Sequence, residues 1–184
     1  MKKTIIIMAV LAALLGISLL TGYNNLVTMN EGVNGKWSQV ENQLQRRSDL
    51  IPNLVGTVKG FAAQEKAVID SVTNARAKLA GAQGPADKAA ANNELSSSLS
   101  RLLVVVENYP QLKSDRTFVG LMDELSGTEN RLTVSRRDYN DAVQGYNTAV
   151  QTLPTRIFAG ALGFKQREYF RAEEGAKQLP TVTF

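Results

Sequence analysis

The sequence predicts an all-α protein: an N-terminal transmembrane helix followed by an antiparallel, up-down-up-down four-helix bundle with long helices. Three observations predict it. An uncharged apolar run opens the chain, apolar residues then recur three and four apart over most of the remaining length, and the strong helix breakers cluster between those periodic stretches.

The opening run begins at Thr4 and ends at Leu20 (TIIIMAVLAALLGISLL), preceded by Lys2 and Lys3. As a helix it measures about 25 Å, enough to cross a bilayer core once residues 21–23 are added. The next basic residue is Lys36, so positive charge flanks the run on its N-terminal side. The positive-inside rule then predicts a single-pass protein of the inner (cytoplasmic) membrane with its C-terminal domain outside the cytoplasm. Gly16-Ile17-Ser18 offers a small-x-small cleavage site, but inside the apolar run instead of after it. An uncleaved signal-anchor over residues 1–22 is therefore the reading, and cleavage the alternative. Leu20-Thr21-Gly22 reads like the front of a lipobox, yet Tyr23 stands where the lipidated cysteine belongs, which excludes lipidation there.

A heptad-like seam comes next: Tyr23, Leu26, Asn30, Val33, Trp37, Val40, Leu44 and Arg47. No turn signal separates it from the membrane run, so the two are expected as one continuous helix. Asp49 is a candidate cap and Pro52 suits a first helical turn, which places the first bend at residues 48–51. The second helix then runs to about Ala80, with Leu54, Val58, Phe61, Val68, Val72, Ala75 and Leu79 as its apolar stripe. Gly81-Ala82-Gln83-Gly84-Pro85 is the clearest breaker, with Pro85 at a helix start. The third helix covers about 86–108 and ends at Tyr109-Pro110. It carries Leu95, Leu99, Leu102, Leu103 and Val106 on one side and most of its serines on the other. The fourth repeats every seven residues through Phe118, Leu125, Leu132, Tyr139, Tyr146 and Leu153, with small companions such as Thr128, Ser135 and Ala142 that let a neighbour approach closely. It breaks at Leu153-Pro154. The bundle domain is thus 23–154, and short connections favour antiparallel neighbours crossing near +20°.

Four passes return the chain to the membrane surface at residues 155–184. There Arg156, Phe158, Phe164, Lys165 and Arg167 combine basic and aromatic side chains suited to an interfacial segment. The same residues also suit an ordinary cap on the open end of the bundle, since Gly160 and Gly163 weaken any helix formed there. Val182 and Phe184 close the tail.

Composition closes several functional classes. The chain of 184 residues has neither His nor Cys, which removes imidazole acid–base chemistry, thiol nucleophiles, zinc sites with nitrogen or sulfur ligands and disulfides. No cofactor or metal is expected. The net charge of +4 is spread among interleaved acids and bases, with no basic stripe for nucleic acid. Paired carboxylates such as Asp123 with Glu124, or Glu173 with Glu174, are adjacent and diverge on a helix, a poor geometry for acid and base. No nucleophile elbow, P-loop or dinucleotide fingerprint is present, so no enzyme is expected. Arg46 and Arg47 beside Asp49 are read as capping the first helix and pairing with Asp49 or neighbouring carboxylates. The sharper alternative is a bidentate site for an acidic partner. Trp37 is expected in the core. Glu65 and Arg76 are expected in a structural polar pair or network, and Tyr139 and Asn147 as hydrogen-bonders between helices. Gly56-x-x-x-Gly60 and Ala12-x-x-x-Gly16 would permit close helix approach.

Tyr23-Asn24-x-Leu26-Val27, the block Trp37-Ser38-Gln39-Val40-Glu41-Asn42-Gln43-Leu44 with Arg46-Arg47, and Asp49-Leu50-Ile51-Pro52-Asn53-Leu54-Val55 resemble the signature of bacterial LemA proteins. Glu107-x-Tyr109-Pro110-x-Leu112-Lys113, Arg136-Arg137-x-Tyr139-Asn140-x-Ala142-Val143, Tyr146-Asn147 and Phe158-x-x-x-Leu162-Gly163-Phe164 are similar to the later blocks of that family, in order. The resemblance implies a helical domain on an N-terminal membrane anchor, without an established enzymatic activity. Some relatives carry a cysteine before the Gly-Tyr-Asn stretch and look like lipoproteins; this chain does not. Many have a histidine beside the glutamate at position 65, where this chain has Gln64, so no role of that histidine carries over. The expected partners are membrane lipid through the N-terminal helix, and a second copy of the chain or another membrane protein. The expected role is a scaffold or adaptor of the cell envelope; a ligand- or lipid-sensing domain and a membrane-surface remodelling protein are the alternatives.

Overall fold

The computed structural model describes residues 2–171, without the side chains of residues 11 and 15. Glu173, Glu174, Val182 and Phe184 lie outside the described residues. Those described form helices and connections, with no strand among them. In chain order the helices are α1 (Lys2–Phe61), α2 (Lys66–Gly81), α3 (Gly84–Val106), α4 (Pro110–Lys113), α5 (Arg116–Gln151) and α6 (Arg156–Ala159). Two compact units are distinguished: the residues up to Ser38 together with Asp138–Glu168, and Gln39–Arg137 together with the described residues from Tyr169 onward.

The first unit is built on the opening turns of α1 and the last of α5. Along the apolar run Ile5, Ile6, Ile7, Met8, Val10, Leu14, Ile17 and Leu20 are exposed. Burial starts at Leu26 and recurs at Val33, in the expected seam. Facing positions of α5 supply Tyr139, Val143 and Tyr146, all buried, and the rings of Trp37 and Tyr139 stand 5.1 Å apart. Trp37 is half-buried there. A Cβ added to Gly145 would stand 3.4 Å from the Met29 methyl, so a small residue on α5 leaves room for a flexible side chain of α1. Lys36 Nζ donates to Asp138 at 3.1 Å.

The second unit holds the larger apolar core. Val40, Leu44, Ile51, Leu54 and Val58 of α1 are buried at three- and four-residue spacing, as are Ile69, Val72, Ala75 and Leu79 of α2. Leu95, Leu99, Leu102 and Val106 of α3 and Phe118, Leu125 and Leu132 of α5 complete it. Leu103 and Phe61, expected in these stripes, are exposed instead. α2 packs against α3, joined by Ser71 and Ser98 hydroxyls 3.0 Å apart and by Lys78 with Glu94 at 2.6 Å. Ser98 is therefore on the buried side of α3, unlike Ser97 and Ser100. Asp115 caps α5: its Oδ1 accepts from the Phe118 N–H at 2.9 Å, filling one of the helix's orphan donors.

The expected bend at residues 48–51 is absent. α1 continues through Pro52 to Phe61, and the chain turns at 62–65. A proline inside a helix removes the hydrogen bond to the carbonyl four residues back. That carbonyl belongs to Ser48, which is buried, and it accepts from Arg76 Nε of α2 at 3.0 Å. A side chain of the neighbouring helix thus fills the vacancy and the helix need not end. The turn itself contains Ala62, Ala63, Gln64 and Glu65, none of them a breaker. Its closure comes from packing and from a tyrosine. Ala62 is buried, Glu65 N–H reaches Ala62 O at 3.1 Å, and the Tyr109 hydroxyl donates to Glu65 at 2.7 Å while accepting from Gln64 Nε2 at 2.8 Å.

Candidate functional site

Arg47 is the most unusual side chain of the second unit, a guanidinium on the seam of α1 that is only 5% exposed. Nη1 donates to Asn92 Oδ1 at 2.7 Å and to the Glu129 carboxylate, and Nη2 donates to Ser96 Oγ at 3.0 Å. Nε is buried without a partner among the described residues. Burial pulls the Arg47 pKa below its ordinary value, and the charge of Glu129 works against that fall. The pair borders a groove of about 430 Å³ whose walls are Ser96, Leu99 and Leu103 of α3 and Met122, Ser126 and Asn130 of α5. Arg46, one residue earlier, is exposed and meets Glu124 at 2.6 Å, a carboxylate shared with Arg131. Asp49 accepts from Gln45 at 2.8 Å. The two arginines therefore engage carboxylates of α5 rather than Asp49, and they point to different acids. Glu65 and Arg76 likewise take separate partners, Tyr109 and the Ser48 carbonyl, instead of each other.

A second assembly lies in the first unit, where the chain leaves α5 and folds back along it. After α6, Phe164 N–H bonds Ala159 O at 3.0 Å and Gly163 N–H bonds Gly160 O at 3.2 Å. Gly163 has φ +85°, the left-handed conformation that ends a helix in a Schellman motif. The chain beyond is not helical and is held by side chains. Asn147, itself buried, accepts from the Arg167 N–H at 2.8 Å and donates to the Arg167 carbonyl at 2.9 Å. The Tyr139 hydroxyl donates to the Glu168 carbonyl at 2.7 Å. The Arg167 guanidinium donates to Asn30 Oδ1 at 2.9 Å and Asn34 Oδ1 at 2.8 Å. Tyr139 and Asn147 therefore bond the non-helical segment after α6 instead of another helix. Burial raises the pKa of Tyr139 and of Tyr146 above the usual phenol value, and the Arg167 charge opposes the rise in both.

Aromatic residues of the same segment meet α1 close to the end of its apolar run. The Phe158 ring lies where a side chain on Gly22 would stand, 2.8 Å from that position, and Phe164 meets Tyr23 edge-on at 5.6 Å between centroids. Arg156 and Lys165 are exposed. In the second unit Phe170 is buried under the Arg136 guanidinium, 4.8 Å from its ring centroid. Of the residues singled out in the sequence, the structure gathers Phe158, Phe164 and Arg167 into one segment and gives Arg46 and Arg47 separate surroundings. Glu129, which with Asn130 is similar to a LemA family block, completes the Arg47 site together with Asn92 and Ser96, two residues that nothing local in the sequence singles out.

Residues 36–184 match the LemA family. Magnetosome protein MamQ 2 of Paramagnetospirillum magneticum is 32% identical over 192 residues, covering 90% of this chain and 70% of its own length. MamQ of Magnetospirillum gryphiswaldense is 30% identical over the same shares, and protein LemA of Metamycoplasma hominis 22% identical over 82% of this chain and 69% of its own. The chain belongs to the LemA family. The matched region contains the Arg47 site and the fold-back segment, so both lie in the part shared with other LemA proteins. Among the described residues no group of three or more Asp or Glu is placed to hold a metal ion.

Proposed function

We propose that this LemA protein is a membrane-anchored, non-enzymatic helical scaffold or adaptor of the bacterial cell envelope, whose body is an antiparallel, up-down-up-down four-helix bundle. One observation carries the reading: α1 contains a strongly apolar 18-residue stretch of which nothing is buried, continuous with turns of the same helix that are buried. An apolar surface of that length needs an apolar medium, and a bilayer supplies one. The lysines before it favour the inner membrane with the following domain outside the cytoplasm. The bundle reading is supported by the order of the paired residues in the second unit. Gln43 meets Arg131 and Arg46 meets Glu124, while Ser71 meets Ser98 and Lys78 meets Glu94, so in each pair of helices one chain order rises as the other falls. Exposed Leu103, Val104, Val119 and Val134 offer apolar points for a second copy or another membrane protein.

The test is mild extraction of the full chain followed by mass measurement with and without crosslinking. The expected result is a species above monomer mass or a stoichiometric co-purifying membrane protein. A strict monomer with neither would overturn the scaffold reading. Recovery of the protein lacking residues 1–20, from a carbonate-washed supernatant, would overturn the anchor.

The groove beside Arg47 favours a second reading, a ligand- or lipid-sensing domain, because it combines a buried cation, hydroxyls and apolar walls. A ligand bound there would raise the melting temperature by mass action, and a thermal-shift screen of carboxylate and phosphate amphiphiles with no stabilised condition would remove that reading.

A further inference from the structure

We propose that the loop at 153–165 is a membrane-docking element that seats on the anionic headgroup layer of the bilayer that α1 crosses. Its place in the first unit is the first argument. Phe158 rests on Gly22 and Phe164 on Tyr23, two and three residues beyond Leu20, the last residue of the apolar run. At about 1.5 Å of rise per residue, those contacts hold the loop about 3–5 Å from the end of the run, the depth of the interface.

What the loop turns outward is the second argument. Leu153, Ile157 and Leu162 are 74%, 77% and 50% exposed, three large aliphatic side chains within ten residues and none packed away. Exposed beside them are Arg156 and Lys165. Between Asp141 and Glu168 the chain carries no carboxylate side chain, and between Lys3 and Glu31 α1 carries no charge at all. The loop therefore meets a membrane surface with positive charge only. Aliphatic tips that enter the acyl boundary beneath cations that stay with the headgroups are the pattern of an interfacial anchor.

Rigidity is the third. The Schellman turn at Gly163, the buried Ala159 and the double bond of Asn147 to the Arg167 backbone fix the loop before it meets lipid. Little conformational entropy is lost on docking. Arg167, committed to Asn30 and Asn34, is part of this frame and not of the lipid contact.

The inference rests on α1 being an uncleaved span, and the experiment separates the two. The chain has no cysteine, so single cysteines at Leu14, Ile157 and Gly35 of the full-length protein can each carry an environment-sensitive fluorophore. Gly35 is a helical position with open space around it, about 22 Å along α1 from Leu20. The labelled proteins are reconstituted into phosphatidylcholine vesicles with and without phosphatidylglycerol, with quenchers either on lipid chains or in the aqueous phase. The expected result is lipid quenching at Leu14 and Ile157, aqueous quenching at Gly35, and a gain in Ile157 quenching with the anionic lipid. Arg156→Glu with Lys165→Glu, both exposed and outside the core, should weaken the docking equilibrium in anionic vesicles by about fivefold or more per cation while leaving the melt unchanged. Leu14 quenched by lipid while Ile157 answers only the aqueous quencher overturns the docking loop and leaves the span intact. Leu14 unreached by lipid overturns the span itself. Ile157 shielded from both quenchers means that protein covers the loop, and overturns the proposal in favour of a partner chain.

Discussion

At the scale of single residues, Arg47 shows how a charge is kept inside a helical core. Taking a guanidinium out of water costs several kcal/mol, and the cost is offset only where the opposite charge and hydrogen bonds are all supplied. Glu129, Asn92 and Ser96 supply the charge and the bonds to Nη1 and Nη2, each from a helix other than α1, and leave Nε without a partner among the described residues. Removing one partner is therefore worse than removing the whole set. Glu129→Ala is expected to destabilise by about 3 kcal/mol, near the low end for a broken buried pair because the Glu129 side chain is itself 37% exposed. Arg47→Met in the Glu129→Ala background should recover a substantial part of that loss, since no charge then remains to be buried. Equilibrium denaturation of the four proteins of this cycle gives the answer; an Arg47→Met effect unchanged by Glu129→Ala would mean that the ion pair contributes nothing. Seen from the sequence, Arg47 was legible as an anomaly on an apolar seam, whereas its partners were not, because a pairing of residues 82 apart leaves no local trace.

Among the elements, the seven-residue rhythms were legible and the first turn was not. Phe118, Leu125, Leu132, Tyr139 and Tyr146 are buried as their spacing predicts, while Leu153, the next in the series, falls beyond the end of α5 and is exposed. The breakers at Gly81-Ala82-Gln83-Gly84-Pro85 and Tyr109-Pro110 end helices where they should. Pro52 misled because its local penalty is real but is relieved by Arg76, a contact from the next helix. The turn at 62–65 stayed hidden because Ala, Gln and Glu are good helix formers, overruled there by packing and Tyr109. Arg76→Met should cost about 1–3 kcal/mol by leaving the buried Ser48 carbonyl unpaired. In a Pro52→Ala background the helix regains its own N–H donor to that carbonyl, so the same substitution should cost less. Equal costs in the two backgrounds, measured by denaturation, would show that Arg76 does not serve the proline. The fold-back segment offers a comparable test. Asn147→Leu removes both bonds to the Arg167 backbone, and trypsin should then cut after Lys165 and Arg167 several-fold faster than in the parent while sites within α2 and α3 keep their rates. Unchanged cleavage at Lys165 and Arg167 would mean that other contacts hold the segment.

For the molecule as a whole, the sequence conveyed the helical class and the apolar run of α1, because both are patterns of period and composition. It did not convey that the chain after α5 returns along it, since non-helical segments held by side chains lack a periodic signature. That return brings buried phenols into the stability of the protein. Tyr139 and Tyr146 have pKa values raised by burial, and Tyr109 by its hydrogen bond to Glu65, so each binds its proton more tightly in the folded state than in the unfolded one. With more protons bound when folded, the slope of stability against pH is negative where the unfolded phenols ionise. The contribution is complete below pH about 10 and is lost as pH rises through the folded values. Melting of the detergent-solubilised protein at a series of pH values above neutrality should therefore show an alkaline decline, and Tyr146→Phe and Tyr139→Phe should each flatten it. Lysines titrate in the same range and contribute a background common to all variants, so the difference between parent and variant isolates the phenols. Tyr139→Phe should in addition lower stability at neutral pH by about 1 kcal/mol, because the Glu168 carbonyl loses its donor. Parallel pH profiles for parent and both variants would show that these hydroxyls reach water in the folded protein, and the fold-back segment would then not cover them.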